Sequence, residues 1–175
     1  MRRRAIGSIR YGLFALAMAV VPLSGCSTMD FAGASNFGPA QPQVASLPDI
    51  GSYTADRALA KARSHFRNND FGDSAALYQR VVELSPKDPE GYVGLGASYD
   101  HLGRYDLADR VYGSLYSLTG GTAQYYNNVG YSNLLRGNLT AAMSNFRNAK
   151  RLDPDNVVIA DNLQILANAT AGSRA

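Results

Sequence analysis

A single phase of 34 residues runs through the body of the chain. Tyr92, Leu95 and Gly96 recur as Tyr126, Val129 and Gly130. Gly103 and Tyr105 recur as Gly137 and Leu139, and Ala108 and Tyr112 as Ala142 and Phe146. Stepping back by the same interval, Phe71, Tyr78 and Leu84 match Tyr105, Tyr112 and Leu118, while Pro86 and Pro154 lie two periods apart. The register does not slip across three copies, 55–88, 89–122 and 123–156. A strict repeat of this length is a severe constraint. Each copy must form the same small unit, no copy can bury its apolar face alone, and the units must stack in a line.

The pattern inside each copy is helical. In 105–118, Leu107, Ala108, Val111, Tyr112, Leu115 and Leu118 recur three or four apart and make one apolar face. The expected first helices run over 55–68, 89–102 and 123–136, and the second helices over 71–84, 105–118 and 139–152. Between them, NNDF, GRYD and GNLT carry asparagine or glycine able to take positive φ after a helix. Pro86 and Pro154 end the second helices of copies one and three. Copy two has Thr119-Gly120-Gly121-Thr122 there instead, either a helix cap or a hinge. The phase continues into 157–170, where Leu163 and Ala167 stand in for Leu95 and Tyr99, with Asp161, Asn162 and Gln164 on a more polar face. This predicts a seventh, capping helix. Period and signature together resemble the tetratricopeptide repeat. The expected fold class is therefore all-α, a right-handed helical-hairpin solenoid of three tetratricopeptide repeats plus a capping helix, over 55–170.

The stretch YYNNVGYSNLLRGN, residues 125–138, places Asn127, Asn128 and Gly130 inside a predicted helix, although all three are poor helix formers. The repeat explains the glycine. Gly96 and Gly130 fall where the two helices of a unit approach most closely, with Ala62 in the first copy. For the asparagines, the resemblance implies the concave inner face formed by the first helices; the plainer alternative is hydrogen bonding to neighbouring turns. Projected onto the chain, the inner-face positions give Leu59, Arg63, Phe66 and Arg67 in copy one. Copy two gives Val93, Gly94, Ala97, Asp100 and His101, and copy three Asn127, Asn128, Tyr131 and Leu135. The expected partner-binding residues are Arg63, Phe66, Arg67, Asp100, His101, Asn127, Asn128 and Tyr131. Some relatives grip a C-terminal carboxylate with lysines and asparagines here; this chain lacks that lysine set. Its mixed apolar and amide surface suits an extended peptide or a partner helix.

The amino-terminal region reads differently. MRRRAIGSIR precedes an apolar run from Leu13 to Leu23 of about 11 residues, too short to span a bilayer at roughly 20. Residues 1–25 are expected to be an export signal. Leu23-Ser24-Gly25-Cys26 resembles the bacterial lipobox, which implies cleavage before Cys26 and lipid on it; Ser27 after the cysteine favours the outer membrane. Cys26 is the chain's single cysteine, so no internal disulfide is available. Residues 26–54 then hold Pro39, Pro42 and Pro48 with several Gly and Ser, and are expected to be the lipidated cysteine and a flexible linker of roughly 30 Å span.

Charge excludes one class of partner. The chain carries 17 Lys and Arg against 14 Asp and Glu, but Arg2, Arg3, Arg4 and Arg10 all lie in the signal region. The remainder is nearly neutral, with no basic stripe for nucleic acid. His65 and His101 are in no metal-ligand spacing, and no nucleophile elbow or phosphate loop is present, so neither catalysis nor a cofactor or metal is expected. The run from Tyr125 to Leu163, with the lipobox and short length, is similar to the TadD family, tetratricopeptide lipoproteins of Flp (tight-adherence) pilus machinery. That resemblance implies an outer-membrane-anchored, periplasm-facing, protein-binding assembly factor, with the pilus secretin or other Tad components as partners. A general envelope scaffold, in outer-membrane protein assembly or cell-wall maintenance, is the alternative.

Overall fold

The computed structural model of the protein describes residues 45–172. Cys26, the expected signal segment and the first part of the expected linker lie outside the described residues. The elements are a short 3-10 helix, η1 (Ile50–Ser52), and seven α-helices: α1 (Ala55–Arg67), α2 (Phe71–Leu84), α3 (Pro89–His101), α4 (Tyr105–Thr119), α5 (Ala123–Leu135), α6 (Leu139–Leu152) and α7 (Val157–Gly172). Helices α1/α2, α3/α4 and α5/α6 form three antiparallel hairpins, and α7 packs on α6 in the place of a fourth first helix.

The repeat is written most clearly at the helix ends. The residue before each first helix is Thr54, Asp88, Thr122 and Asn156, spaced by 34. Each side chain accepts from a backbone N–H of the first turn: Arg57 (3.4 Å), Glu90 (3.0 Å), Tyr125 (3.1 Å) and Val158 (3.0 Å). These caps satisfy donors that the helix leaves unpaired. Each first helix then closes on a left-handed residue, Asn69 (φ 63°), Gly103 (φ 68°) or Gly137 (φ 77°). The amide two residues past each helix's C-cap, in Asp70, Arg104 and Asn138, donates back to His65, Tyr99 and Asn133 at 2.8–2.9 Å, the Schellman closure.

Close approach explains the small residues inside the helices. A Cβ on Gly96 would lie 2.6 Å from the Tyr112 ring, and one on Gly130 2.6 Å from Phe146. Each aromatic comes from the second helix of the same unit, as the repeat phase requires. Ala62 fills the equivalent place in unit one and is fully buried.

The core divides in two. One cluster joins units one and two through Leu77, Tyr78, Leu95, Tyr99, Tyr112 and Leu115, and Tyr125 and Val129 of α5 pack against it. The other holds Ala142, Phe146 and Leu166. Between units two and three, Gly120 N–H donates to Tyr116 O at 2.7 Å and ends α4, while Thr122 caps α5, so this turn closes both helices. Gly120 sits at φ 67°, ψ −164°, a region open essentially to glycine alone. A Cβ there meets nothing within 4 Å. Gly120→Ala is therefore expected to lose about 1–3 kcal/mol from backbone strain alone, measured by urea unfolding; a neutral result would show that the turn can take another conformation.

One expectation is corrected. The flexible linker was to extend to residue 54, but residues 45–53 are folded onto the first hairpin. Leu47, Ile50 and Tyr53 pack against the larger core cluster. Ala45 N–H donates to Gly72 O at 3.2 Å, and Arg80 Nη2 to Gly51 O at 2.9 Å. The guanidinium of Arg57 lies 4.7 Å over the Tyr53 ring. The physical reason is the end of the repeat stack: among the described residues no helical unit precedes unit one, and three apolar side chains of this segment pack on its face.

Candidate partner-binding groove

The first helices α1, α3 and α5 line one face, and the residues predicted for it fall into three groups. The first is an aromatic strip. Phe66, at the end of α1, meets Phe71 edge-on at 5.3 Å and His101 at 5.4 Å. His101 stacks flat on Phe71, with centroids 4.2 Å apart and planes 6° apart. Tyr131 of α5 follows at 6.2 Å from His101. Phe66, Phe71 and Tyr131 are half-buried and His101 is exposed, so the strip crosses all three units while still presenting surface. Partial desolvation beneath the neighbouring rings holds the His101 imidazole below its ordinary pKa, which favours a neutral ring in the stack with Phe71.

The second group is charged. Arg63 Nε donates to Glu90 Oε1 at 2.6 Å, joining α1 to α3 across the groove. That hydrogen bond is the main reason its guanidinium is held above its ordinary pKa. Arg67, one turn on, is exposed in the last turn of α1. Both arginines are exposed, but Arg63 is already paired with Glu90, whereas Arg67 has no ion pair among the described residues.

The third group is the amides of α5. Asn127 Oδ1 accepts from Asn162 Nδ2 of α7 at 2.9 Å. Asn128 Nδ2 is closed off from bulk water and has no hydrogen-bond partner among the described residues. These two amides open onto a cleft of about 310 Å³ between the start of α5 and the α6–α7 turn.

Two inner-face assignments are corrected. Asp100 is not a groove residue: it is 3% exposed, inside the α3–α4–α5 junction. It accepts from Tyr112 Oη at 2.9 Å and Ser132 Oγ at 2.6 Å, and Arg136 Nη2 lies 3.9 Å away. Gly94 is no groove floor either, because its missing Cβ leaves room for the Tyr78 ring of α2. In both cases the neighbouring unit covers a position that the repeat phase alone leaves open.

Sequence reasoning missed Phe71, Glu90, Asp153 and Asn156. Phe71 is the equivalent of Tyr105 and Leu139 and reads as core. Glu90 carried a usable signal. It follows Arg63 by 27 residues, and Asp109 precedes Arg136 by the same interval. Both pairs bridge adjacent units, the second through bonds of 2.8 and 3.0 Å.

The arrangement of hairpins has known counterparts. Sequence profiles of the tetratricopeptide repeat match residues 59–112 and 123–156, together half of the chain. The chain belongs to the tetratricopeptide-repeat family. Among curated relatives, low calcium response locus protein H of Yersinia pestis is 29% identical over 69 residues. That match covers 39% of this chain and 41% of the relative, about two fifths of each. The first tetratricopeptide domain of human RPAP3 superposes with a TM-score of 0.59 at 17% identity, over 69% of this chain and 94% of that one. The Yersinia enterocolitica type III secretion chaperone SycD, in complex with a peptide of the translocator YopD, gives 0.55 at 19% identity, over 67% and 89%. At such identities these structures establish the fold.

Proposed function

We propose that this tetratricopeptide-repeat protein is a non-catalytic assembly factor of the bacterial envelope, tethered to the outer membrane by lipid on Cys26 and facing the periplasm. Its concave face holds a segment of a protein of a Flp/Tad-type pilus secretion apparatus. The observation that carries the reading is the continuous strip Phe66–Phe71–His101–Tyr131, which lays half-exposed rings across all three first helices. Aromatics arranged this way pack the side chains of an extended or helical segment. The similarity of residues 125–163 to the TadD family supports the pilus assignment. The SycD structure supports the general mode, since a chaperone of this fold is found in complex with a translocator peptide. Lipid tethering would confine the groove to a thin layer and raise its effective concentration toward membrane partners.

The test is crosslinking in cells. A photoreactive residue replacing Tyr131 in the lipidated protein should capture the pilus secretin or another Tad component. Phe66→Ala with His101→Ala should reduce a Cys26-anchored, fully helical protein's capture at least about tenfold, since each aromatic contact contributes about 0.5–1.5 kcal/mol beyond its area. Recovery of outer-membrane assembly or cell-wall proteins instead would overturn the pilus reading in favour of a general scaffold.

A further inference from the structure

The cleft between α5 and the α6–α7 turn has a chemistry unlike the aromatic strip. On one side Gln124, Asn127 and Asn128 project from the first two turns of α5; on the other stand Asp153 and Asn156, with Ile159 also lining the space. The amide orientations are set by their neighbours. Asn127 uses its oxygen to accept from Asn162, and its NH2 group has no partner among the described residues. Asn156 spends both ends of its amide, capping α7 with its oxygen and donating to Asp153 Oδ2 at 2.9 Å. Asp153 keeps its other oxygen. Asn128 offers an unpartnered donor, and the broad terminal torsion of an asparagine lets that group turn into the cleft at little cost.

Two further features define what fits. Gln124 and Asn128 are one helical turn apart, a rise of about 6 Å. Like-facing carbonyls of an extended chain repeat every two residues, at about 6.6–6.8 Å. The two amides therefore match successive carbonyls of a bound main chain. Asp153 is the one charged residue of the cleft lining, so the site is electronegative and opposes a terminal carboxylate.

We propose that this cleft grips the main chain of an internal, extended segment of the partner protein, with a basic side chain of that segment set against Asp153. The inference rests on the protein-binding reading above and names the chemistry of what is bound. Retention of an unpaired buried amide inside a helix is its main support. Such a group destabilises the fold, and asparagine is a weaker helix former than alanine, so position 128 is poor for stability and good for binding.

The experiment uses the full chain, labelled with nitrogen-15, and three synthetic probes: acetyl-AAKAA-amide, acetyl-AAEAA-amide, and acetyl-AAKAA with a free carboxylate. The blocked lysine peptide should shift the side-chain NH2 resonances of Asn127 and Asn128. It should bind about fivefold more tightly than the glutamate peptide, the size of a partly exposed ion pair. Asp153→Asn should abolish that preference while leaving the shifts. Asn128→Ala should weaken binding of all three probes and raise the melting midpoint by about 4 °C. A lower midpoint would assign Asn128 to the fold and overturn the proposal. So would equal binding of the lysine and glutamate peptides, tightest binding by the free carboxylate, or no resonance shift at about 5 mM peptide. Failure here leaves the crosslinking result at Tyr131 untouched, and a wrong crosslinked partner leaves the peptide spectra untouched, so the two readings can fall separately.

Discussion

Phe146→Ala is expected to lower the unfolding free energy by about 3–5 kcal/mol, the usual loss for a fully buried phenylalanine. The Phe146 ring is 0% exposed and sits in the smaller core cluster, with Ala142 and Leu166 as its buried companions. Tyr131, Leu134, Leu139, Met143 and Leu163 pack against that cluster from its partly exposed edge. For a domain whose total stability is about 5–15 kcal/mol, this is roughly a fifth of the whole or more. Because solenoid stability is a sum of units and their interfaces, the loss falls first on α5, α6 and α7. Urea unfolding followed by far-ultraviolet circular dichroism should show a lower midpoint, and hydrogen exchange should show α6 and α7 opening before α2 and α3. A loss below about 1 kcal/mol would mean that the unit collapses readily and that the ring is not its keystone. Gly130→Ala probes the same contact from the other side. Its Cβ would lie 2.6 and 2.7 Å from two carbons of the buried ring. It should lose about 1–3 kcal/mol to overpacking, and much less in a Phe146→Leu background, where the ring edge is gone.

That contact was readable before any coordinates, because Gly130 and Phe146 recur at the 34-residue step as Gly96 and Tyr112. What repeats was legible for the same reason: the helix order and the positive-φ residues at 69, 103 and 137. Local rules acting once per unit leave the same mark three times. What did not repeat was harder to read. Residues 45–53 have no counterpart in the later units, and their proline and glycine content resembles a linker; only the uncovered face of α1 and α2 shows why Leu47, Ile50 and Tyr53 bury themselves. In the groove, Phe66, His101 and Tyr131 lie where the inner-face phase puts them, but their stacking partner Phe71 comes from a second helix. Phase along one helix cannot show which side chain of the next element leans over it.

Asp100 is the sharpest instance, and it carries the second large expectation. An aspartate between Tyr99 and His101 on an inner-face position looks like a solvated groove carboxylate. The third unit brings Ser132 and Arg136 onto it instead, and the second helix of its own unit brings Tyr112. Asp100→Ala removes the acceptor for two buried hydroxyls, Tyr112 at 4% exposure and Ser132 at 1%, and is expected to lose about 2–4 kcal/mol. Arg136 keeps its bidentate partner Asp109, so the variant should fold, with units two and three less firmly joined. Asp100→Asn preserves the shape and isolates the charge. Burial pushes the Asp100 carboxyl above its ordinary value, outweighing the opposing hydrogen bonds from Ser132 and Tyr112 and the attraction of Arg136, while Asp109 pushes the same way as burial. A carboxyl raised on folding stabilises the fold below its unfolded pKa, near 3.9, and loses that contribution as pH rises through the folded value. The stability of the unmodified chain relative to Asp100→Asn should therefore be greatest below about pH 4 and decline as pH rises above it, read from urea midpoints from about pH 3 to pH 7. A difference that grows with pH would show that the two hydroxyl donors and Arg136 stabilise the ionised carboxylate more than burial penalises it, and the junction between units two and three would then be an ion-pair clasp strengthened by deprotonation.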